Sequence, residues 1–385
     1  MERALQFRLR TTIRWAWIYF LYGTGLLAWA RRKVSSRYRG IIVLTLHRVL
    51  DDADVQQTYS PRGMIIRRLT FEKLLGYLQR NYESVALTGV TPSWDKFNGK
   101  PRFALTFDDG WKDTADIAVP LSENFEVPVT VFVCPGLAGQ SSPFWPENIR
   151  RVWLILQQCP PILREFLDSL NEIGLSKLPS LEATAEHKLE LLIGRLKALT
   201  PPQRERFLQK ALGLERECNG IRTLTRMDAT MTWEDTARLR RLGTQIGSHT
   251  HNHQILPILS SAQVYEELCD SKIEIERHLG HDCRLFAYPD GAWSATVREL
   301  VIQAGYTFAF ANETGVWTST TDCWVIPRVN IWEGSVTGPK GRFSPVVFQY
   351  ATFWRSFCAE FRTRNRGNRL KGKDNEPYIP LSSLS

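Results

Sequence analysis

Seven short apolar runs, most of them followed by a stretch of helical character, constrain this chain more than any other feature. They cover residues 41–46, 103–107, 129–134, 245–247, 284–288, 306–311 and 324–329. Near-continuous apolarity over four to six residues is what parallel strands buried on both faces require, because neither face meets water. The intervening stretches carry helix punctuation. Residues 233–242 start after Thr232, which with Asp235 forms a capping box, and stop at Gly243. Residues 262–279 place Val264, Leu268, Ile275 and Leu279 on one face and stop at Gly280; residues 295–304 stop at Gly305. Repeated strand–helix alternation predicts an α/β fold, either a barrel or a wide open sheet.

Residues 144–230 break that rhythm. They have helical periodicity, Pro pairs at Pro160-Pro161 and Pro201-Pro202, and little β character, so a helical insertion within the α/β body is expected. The expected organisation is an apolar membrane-associating segment over 1–38, the α/β body over 39–335 with its insertion at about 144–230, and a C-terminal helix and basic tail over 336–385. The seven Cys show no CxxC pair and no regular spacing, which speaks against a disulfide framework or a cysteine-based zinc site.

The net charge of +9 is unevenly placed. Residues 1–40 carry +8 and residues 362–373 carry +6, leaving the rest at −5. A nucleic-acid binder would carry its basic excess on the folded body, so nucleic acid is not expected as a partner. Basic ends on a mildly acidic body suit an anionic membrane surface. Residues 15–30 are uncharged, rich in aromatics and flanked by Arg14 and by Arg31-Arg32-Lys33. This run is short for a bilayer span, and its Trp and Tyr suit the headgroup zone. An in-plane anchor, a spanning anchor, a signal peptide ending at Ala28-Trp29-Ala30 and a core helix all remain open. On the anchor reading the chain sits at a bacterial inner membrane, on a side the charges do not decide, and removal of residues 1–38 would leave a soluble body.

Two segments carry chemistry. Thr106-Phe107-Asp108-Asp109-Gly110 closes one predicted strand, and Gly247-Ser248-His249-Thr250-His251-Asn252-His253 closes another. Both lie at carboxyl ends of strands, where an α/β barrel keeps its active site. Two histidines and a carboxylate can hold Zn²⁺ or a similar divalent ion and leave positions open for water and substrate. Adjacent aspartates cannot easily share one task, because close carboxylates repel and their pKa values separate. A metal resolves this: one carboxylate coordinates, and the other acts as base toward water.

These segments, together with Phe286-Ala287-Tyr288-Pro289-Asp290-Gly291, Val127-Pro128-Val129-Thr130-Val131-Phe132 and Met231-Thr232-Trp233, resemble the successive motifs of polysaccharide deacetylases, the NodB-type enzymes of carbohydrate esterase family four. The similarity covers about residues 40–335. It implies a distorted (β/α)7 barrel and metal-dependent removal of acetyl groups, N-linked or O-linked, from a glycan. Carried over by position, Asp108 matches the base, Asp109 the metal carboxylate, and His249 and His253 the metal histidines, with one divalent ion, foremost Zn²⁺, as cofactor. Tyr288, Pro289 and Asp290 match the groove and oxyanion segment, Asp290 acting through its backbone N–H. His251 falls at a variable position and reads as a wall residue.

Two departures stand out. The family's Arg-Pro-Pro-x-Gly is replaced by Ala287-Tyr288-Pro289, so the familiar arginine is absent, and Arg328 is the candidate to orient Asp108. The family's general-acid histidine near the C-terminus is also missing, since no histidine follows His281. Leu44-Thr45-Leu46-His47 ends the first strand instead, similar to a rearranged subgroup of bacterial poly-N-acetylglucosamine deacetylases, and makes His47 the candidate acid. The expected substrate is an acetylated glycan (polymer, oligosaccharide or lipid-linked), with no specific protein partner. The competing reading is an inactive carbohydrate- or metal-binding relative with a scaffolding role.

Overall fold

Ten strands form among the described residues: β1 Ile41–Leu46, β2 Arg48–Leu50, β3 Ile65–Arg67, β4 Glu83–Ser84, β5 Arg102–Phe107, β6 Val129–Val133, β7 Gln245–Ser248, β8 Leu285–Ala287, β9 Phe308–Phe310 and β10 Arg328–Asn330. The computed structural model describes residues 2–37, 40–89, 91–94, 99–141, 144–172, 185–218 and 226–359. The basic run at 362–373 lies outside the described residues.

Seven strands pair in parallel in the order β10-β1-β5-β6-β7-β8-β9. The ring nearly closes through Ile326, whose N–H donates to Ala309 O at 2.8 Å and whose carbonyl accepts from Ala311 N at 2.9 Å. The result is a distorted (β/α)7 barrel. The seven predicted runs fall on these strands, and the last begins at the Ile326 bridge before continuing as β10. Strands β2, β3 and β4 were not expected; at two or three residues each they are too short to leave a periodic signal.

Alternation along each strand divides the core in two. Ile41, Val43, Ala104, Phe132, Ala287 and Phe310 fill the barrel interior. Ile42, Leu44, Phe103, Leu105, Val131 and Phe286 face the helices outside. The expected helices form as Trp233–Arg241, Ser261–Leu279 and Ala295–Gln303, with the Thr232–Asp235 capping box in place and Gly280 left-handed at φ 67°. The described residues between 145 and 217 form four helices with an apolar cluster of their own, built around Trp153, Phe166, Leu192 and Phe207. The two Pro pairs open helices Pro160–Glu172 and Pro201–Glu217, as suits proline's fixed φ in a first turn.

The apolar run at 15–30 is not one helix. Helix Glu2–Gly23 and helix Leu26–Arg32 meet at Gly25, whose φ of 76° turns the chain back. No helix among the described residues is long and apolar enough to cross a membrane. Ile18, Leu21, Leu27 and Ala30 are buried, and Trp29 packs edge-on against Phe357 at 4.8 Å. Removal of residues 1–38 would therefore uncover apolar surface on the C-terminal helix.

Candidate metal centre and active site

The carboxyl ends of the strands gather the residues singled out in the sequence. Register does part of this work: Leu46 pairs with Phe107, so the next residues, His47 and Asp108, leave adjacent strands side by side. The Asp108 amide donates to Leu46 O at 3.0 Å, which fixes that alignment. On the other side Val133 pairs with Ser248, and the His249 amide donates to Val133 O at 2.8 Å.

Asp109, His249 and His253 each turn one ligand atom to a common point, all within 4.8 Å of one another. His249 Nε2 and His253 Nε2 lie 3.5 and 3.3 Å from Asp109 Oδ1. That oxygen is buried and accepts no well-formed hydrogen bond, a costly state for a carboxylate unless a cation is to meet it. The other oxygen, Oδ2, accepts from Trp111 Nε1 at 2.9 Å. His249 Nδ1 is 2.7 Å from Ala287 O, a contact that places the ring proton on Nδ1 and leaves Nε2 as a lone-pair donor. An orphaned carboxylate oxygen facing two imidazole nitrogens, with the outer contacts satisfied, fits a divalent ion such as Zn²⁺.

Backbone strain concentrates here. Asp109, Thr250, His253 and Asp290 have φ of 73°, 64°, 55° and 58°, against one further positive-φ non-glycine, Glu126, elsewhere among the described residues. Each such conformation costs on the order of 1–3 kcal/mol and persists only where surrounding contacts enforce it.

Asp108 is held by Arg328. Nη1 and Nη2 donate to Oδ1 and Oδ2 at 2.7 Å each, and both side chains are buried. Arg328 reaches this position from inside the barrel, where it pairs in register with Val43. Its Nε donates to Ala311 O at 3.1 Å and its Nη2 to Asn312 Oδ1 at 3.0 Å. Gly291 lets the 289–291 turn rest on Asn312; a Cβ there would lie 2.7 Å from the Asn312 amide nitrogen.

The charges interlock. Burial pushes Asp108 up, but Arg328 and the nearby imidazoles outweigh it and hold the carboxyl below its ordinary value. Asp109 is likewise pushed up by burial and held far below the usual range by His253, His47 and His249. Burial pulls His249 down to about 4, so it is neutral at physiological pH. His253 is pulled down by burial too, yet Asp109 leaves it above its ordinary value.

The remaining predicted residues divide. His47 is half-buried, and its Nδ1 has no hydrogen-bond partner among the described residues. Pro289 is buried in the turn after β8. Asp290 Oδ1 accepts from Lys197 Nζ of the insertion at 2.6 Å. Tyr288 faces away: its ring lies in the outer core beside Phe286, and its hydroxyl donates to Trp324 O at 2.8 Å, so only its backbone borders the site. His251 lies outside the cluster, 3.5 Å from Glu274.

Sequence reasoning missed several neighbours. Trp111 follows the Asp-Asp-Gly segment directly, and that adjacency was the available signal. Arg48, next to His47, stacks over Trp111 at 4.1 Å and pairs with Asp113 and Asp228. Phe144 packs against both Trp111 and His253, at 4.6 and 5.1 Å. Glu147, one turn into the same helix, is buried and is pushed up to about 7 by burial and by the charge of Asp109.

Residues 221–309 match the polysaccharide deacetylase family. The match spans the strand–helix segment that carries His249 and His253. No curated protein matches the sequence. Among solved structures the chain is similar to IcaB from Ammonifex degensii, with 18% identity, 82% of this chain and 97% of that chain covered, and a TM-score of 0.49. It is also similar to Streptococcus pyogenes deacetylase PplD in complex with acetate, with 16% identity, 80% and 99% covered, and a TM-score of 0.48. These likenesses are distant, and the site rests on the geometry above.

Proposed function

We propose that this protein is a polysaccharide deacetylase, a metal-dependent, membrane-associated enzyme that removes N-acetyl groups from hexosamine units of a glycan. The observation that carries the reading is the convergence of Asp109, His249 and His253 within 4.8 Å, beside an Asp108 clamped by Arg328. Asp109, His249 and His253 would hold one Zn²⁺ or similar ion, which when bound polarises the acetyl carbonyl and favours ionisation of water.

The protein's own groups supply the rest. Asp108 is ionised at neutral pH and fixed in direction by the two Arg328 bonds, so it can take a proton from the attacking water without reorganising. The Asp290 backbone N–H, in the turn after β8, is the donor for the oxyanion that forms at the carbonyl. His47, leaving β1 beside Asp108, delivers a proton to the departing amine, which leaves poorly without one. Phe144 and Trp111 wall the centre against bulk water. Trp17, Phe20, Tyr22 and Trp29 stay exposed on the amino-terminal helices, a face suited to the headgroup zone of an anionic membrane.

The test is acetate release from N-acetylglucosamine oligomers by the full chain stripped of metal and reloaded with Zn²⁺. Turnover on reloading, lost in Asp108→Asn, is the expected result. Metal-independent release would overturn the reading.

A further inference from the structure

Two of the chain's cysteines, 59 residues apart, meet at one end of the helical insertion. Cys159 follows helix Trp145–Leu156, and Cys218 ends helix Pro201–Glu217 at its carboxyl side. Cys159 Sγ donates to Cys218 O at 3.8 Å, and the two thiols lie within hydrogen-bonding reach of each other. A pair this far apart leaves no spacing signal in the sequence.

The surrounding structure holds both backbones in place. The Cys159 amide donates to Leu156 O at 2.9 Å and the Cys218 amide to Glu215 O at 3.2 Å, so each closes the last turn of its helix. The two helices are also tied along their length. The Arg204 guanidinium lies over the Trp145 ring at 5.0 Å, and Arg151 donates to both Glu215 carboxylate oxygens at 2.7 and 3.1 Å. These contacts rise together along both helices, which therefore run in the same direction and bring their carboxyl ends side by side. At the amino end of the first helix stands Phe144, packed on His253 at 5.1 Å. The cysteine pair thus lies at the far end of the helix that walls the metal cluster.

The chemistry of the pair favours a cross-link over a reactive thiol. Both cysteines are only partly buried, so a small oxidant can reach them. Burial, the Cys159 thiol and the Glu217 and Glu215 carboxylates push the Cys218 thiol up. A thiolate that its surroundings do not stabilise gives the reduced form no advantage, and the disulfide it enters resists reduction.

We infer that Cys159 and Cys218 form a disulfide that clamps the helical insertion, closed in oxidising surroundings and open in reducing ones. With oxidised glutathione as oxidant, one protein thiolate attacks a glutathione sulfur and releases one glutathione. The second protein thiolate then attacks the protein sulfur of that mixed disulfide, forming the protein S–S bond and releasing the second glutathione. Two electrons pass to the oxidant, and the two thiol protons end on the two released glutathiones. The loop so closed is long, which is where a cross-link restrains opening most. The assignment is independent of the deacetylase reading, since it concerns the insertion alone.

The test is peptide mapping of the full chain after equilibration with oxidised glutathione, with the dithiothreitol-reduced chain as comparison. The expected product is an intramolecular disulfide linking the peptides of Cys159 and Cys218. In Cys159→Ser and in Cys218→Ser the cysteine left behind should carry a glutathione instead. In the parent chain, oxidation should slow proteolysis within the insertion about tenfold or more, and dithiothreitol should reverse this. Absence of the Cys159–Cys218 product at saturating oxidised glutathione, or pairing of either residue with another cysteine, overturns the inference. A disulfide that forms and leaves proteolysis unchanged overturns the clamp. The oxidised and reduced parent are the same chain, so both results stand whether or not the serine variants fold.

Discussion

Arg328 closes both terminal guanidinium nitrogens on the two carboxylate oxygens of Asp108, at 2.7 Å each, from a strand that lies one strand away across β1. In the proposed mechanism this fork is what orients the Asp108 carboxylate. Removing one member of a buried pair leaves the other charge uncompensated, at a cost of about 3–5 kcal/mol. Arg328→Ala should lose that much in urea denaturation and lose activity about a hundredfold or more. Arg328→Lys should restore much of the stability but little of the rate, because an ammonium cannot span both oxygens. Equal recovery of both would show that the fork does not orient the base.

On the proposed assignment, metal binding should depend on Asp109, His249 and His253 and not on Asp108. His249→Ala and His253→Ala should each abolish retention of Zn²⁺ through gel filtration, and the double variant should hold none. Asp108→Asn should retain a full equivalent, since that carboxylate is occupied by Arg328. Stoichiometric Zn²⁺ in the double variant would remove the ligand assignment.

Much of this site was legible because its signals are local. Apolar runs that end in Asp-Asp-Gly or in a histidine cluster place those residues at strand ends, and the barrel then brings strand ends together. Tyr288, expected in the groove from the family match, has its ring on the outer face; alternation from Phe286 carried that signal, and the match by position overrode it. Glu147, Lys197 and Phe144 were not legible. Helices of the insertion bring them within reach of the barrel top, and no sequence pattern records which face of one helix meets a loop far along the chain. The fold of the apolar run at Gly25 depended on a single left-handed residue, whose signal was masked by the composition around it.

The proton donor is a separate question from the metal. His47→Gln should lower kcat by on the order of 10²–10⁴, the usual worth of a positioned general acid, with Zn²⁺ content unchanged. The loss should shrink on an aryl acetate ester, whose phenolate leaves without full protonation. An unchanged kcat on N-acetyl substrates would exclude His47 and leave the acid unassigned.

Glu147 gives the fold a distinctive pH dependence. Its carboxyl is raised from 4.5 to about 7, so between those values the folded chain binds a proton that the unfolded chain has released. The stabilisation is complete below pH 4.5 and is lost as pH rises through about 7, on the order of 3 kcal/mol in all. In metal-free protein, Glu147→Gln should therefore be more stable than the parent at pH 8 relative to pH 5, by urea midpoints. Parallel midpoints in the two proteins across that range would exclude a raised Glu147.

The amino-terminal helices present two faces with opposite expected behaviour. Trp17 and Phe20 stack at 5.7 Å and are about half exposed, at 47% and 55%, whereas Leu21 beside them is fully buried. If the outer face meets a membrane, Trp17→Ser with Phe20→Ser should lower partitioning onto anionic vesicles by on the order of tenfold and leave the unfolding midpoint unchanged. Leu21→Ala should do the reverse. It removes a core contact at a cost of about 2–5 kcal/mol and leaves the inserting aromatics in place. High salt should weaken vesicle binding only in part, because it screens the attraction of Arg14, Arg31, Arg32 and Lys33 but not aromatic insertion. Undiminished partitioning by the double serine variant would mean that this face serves something other than a bilayer.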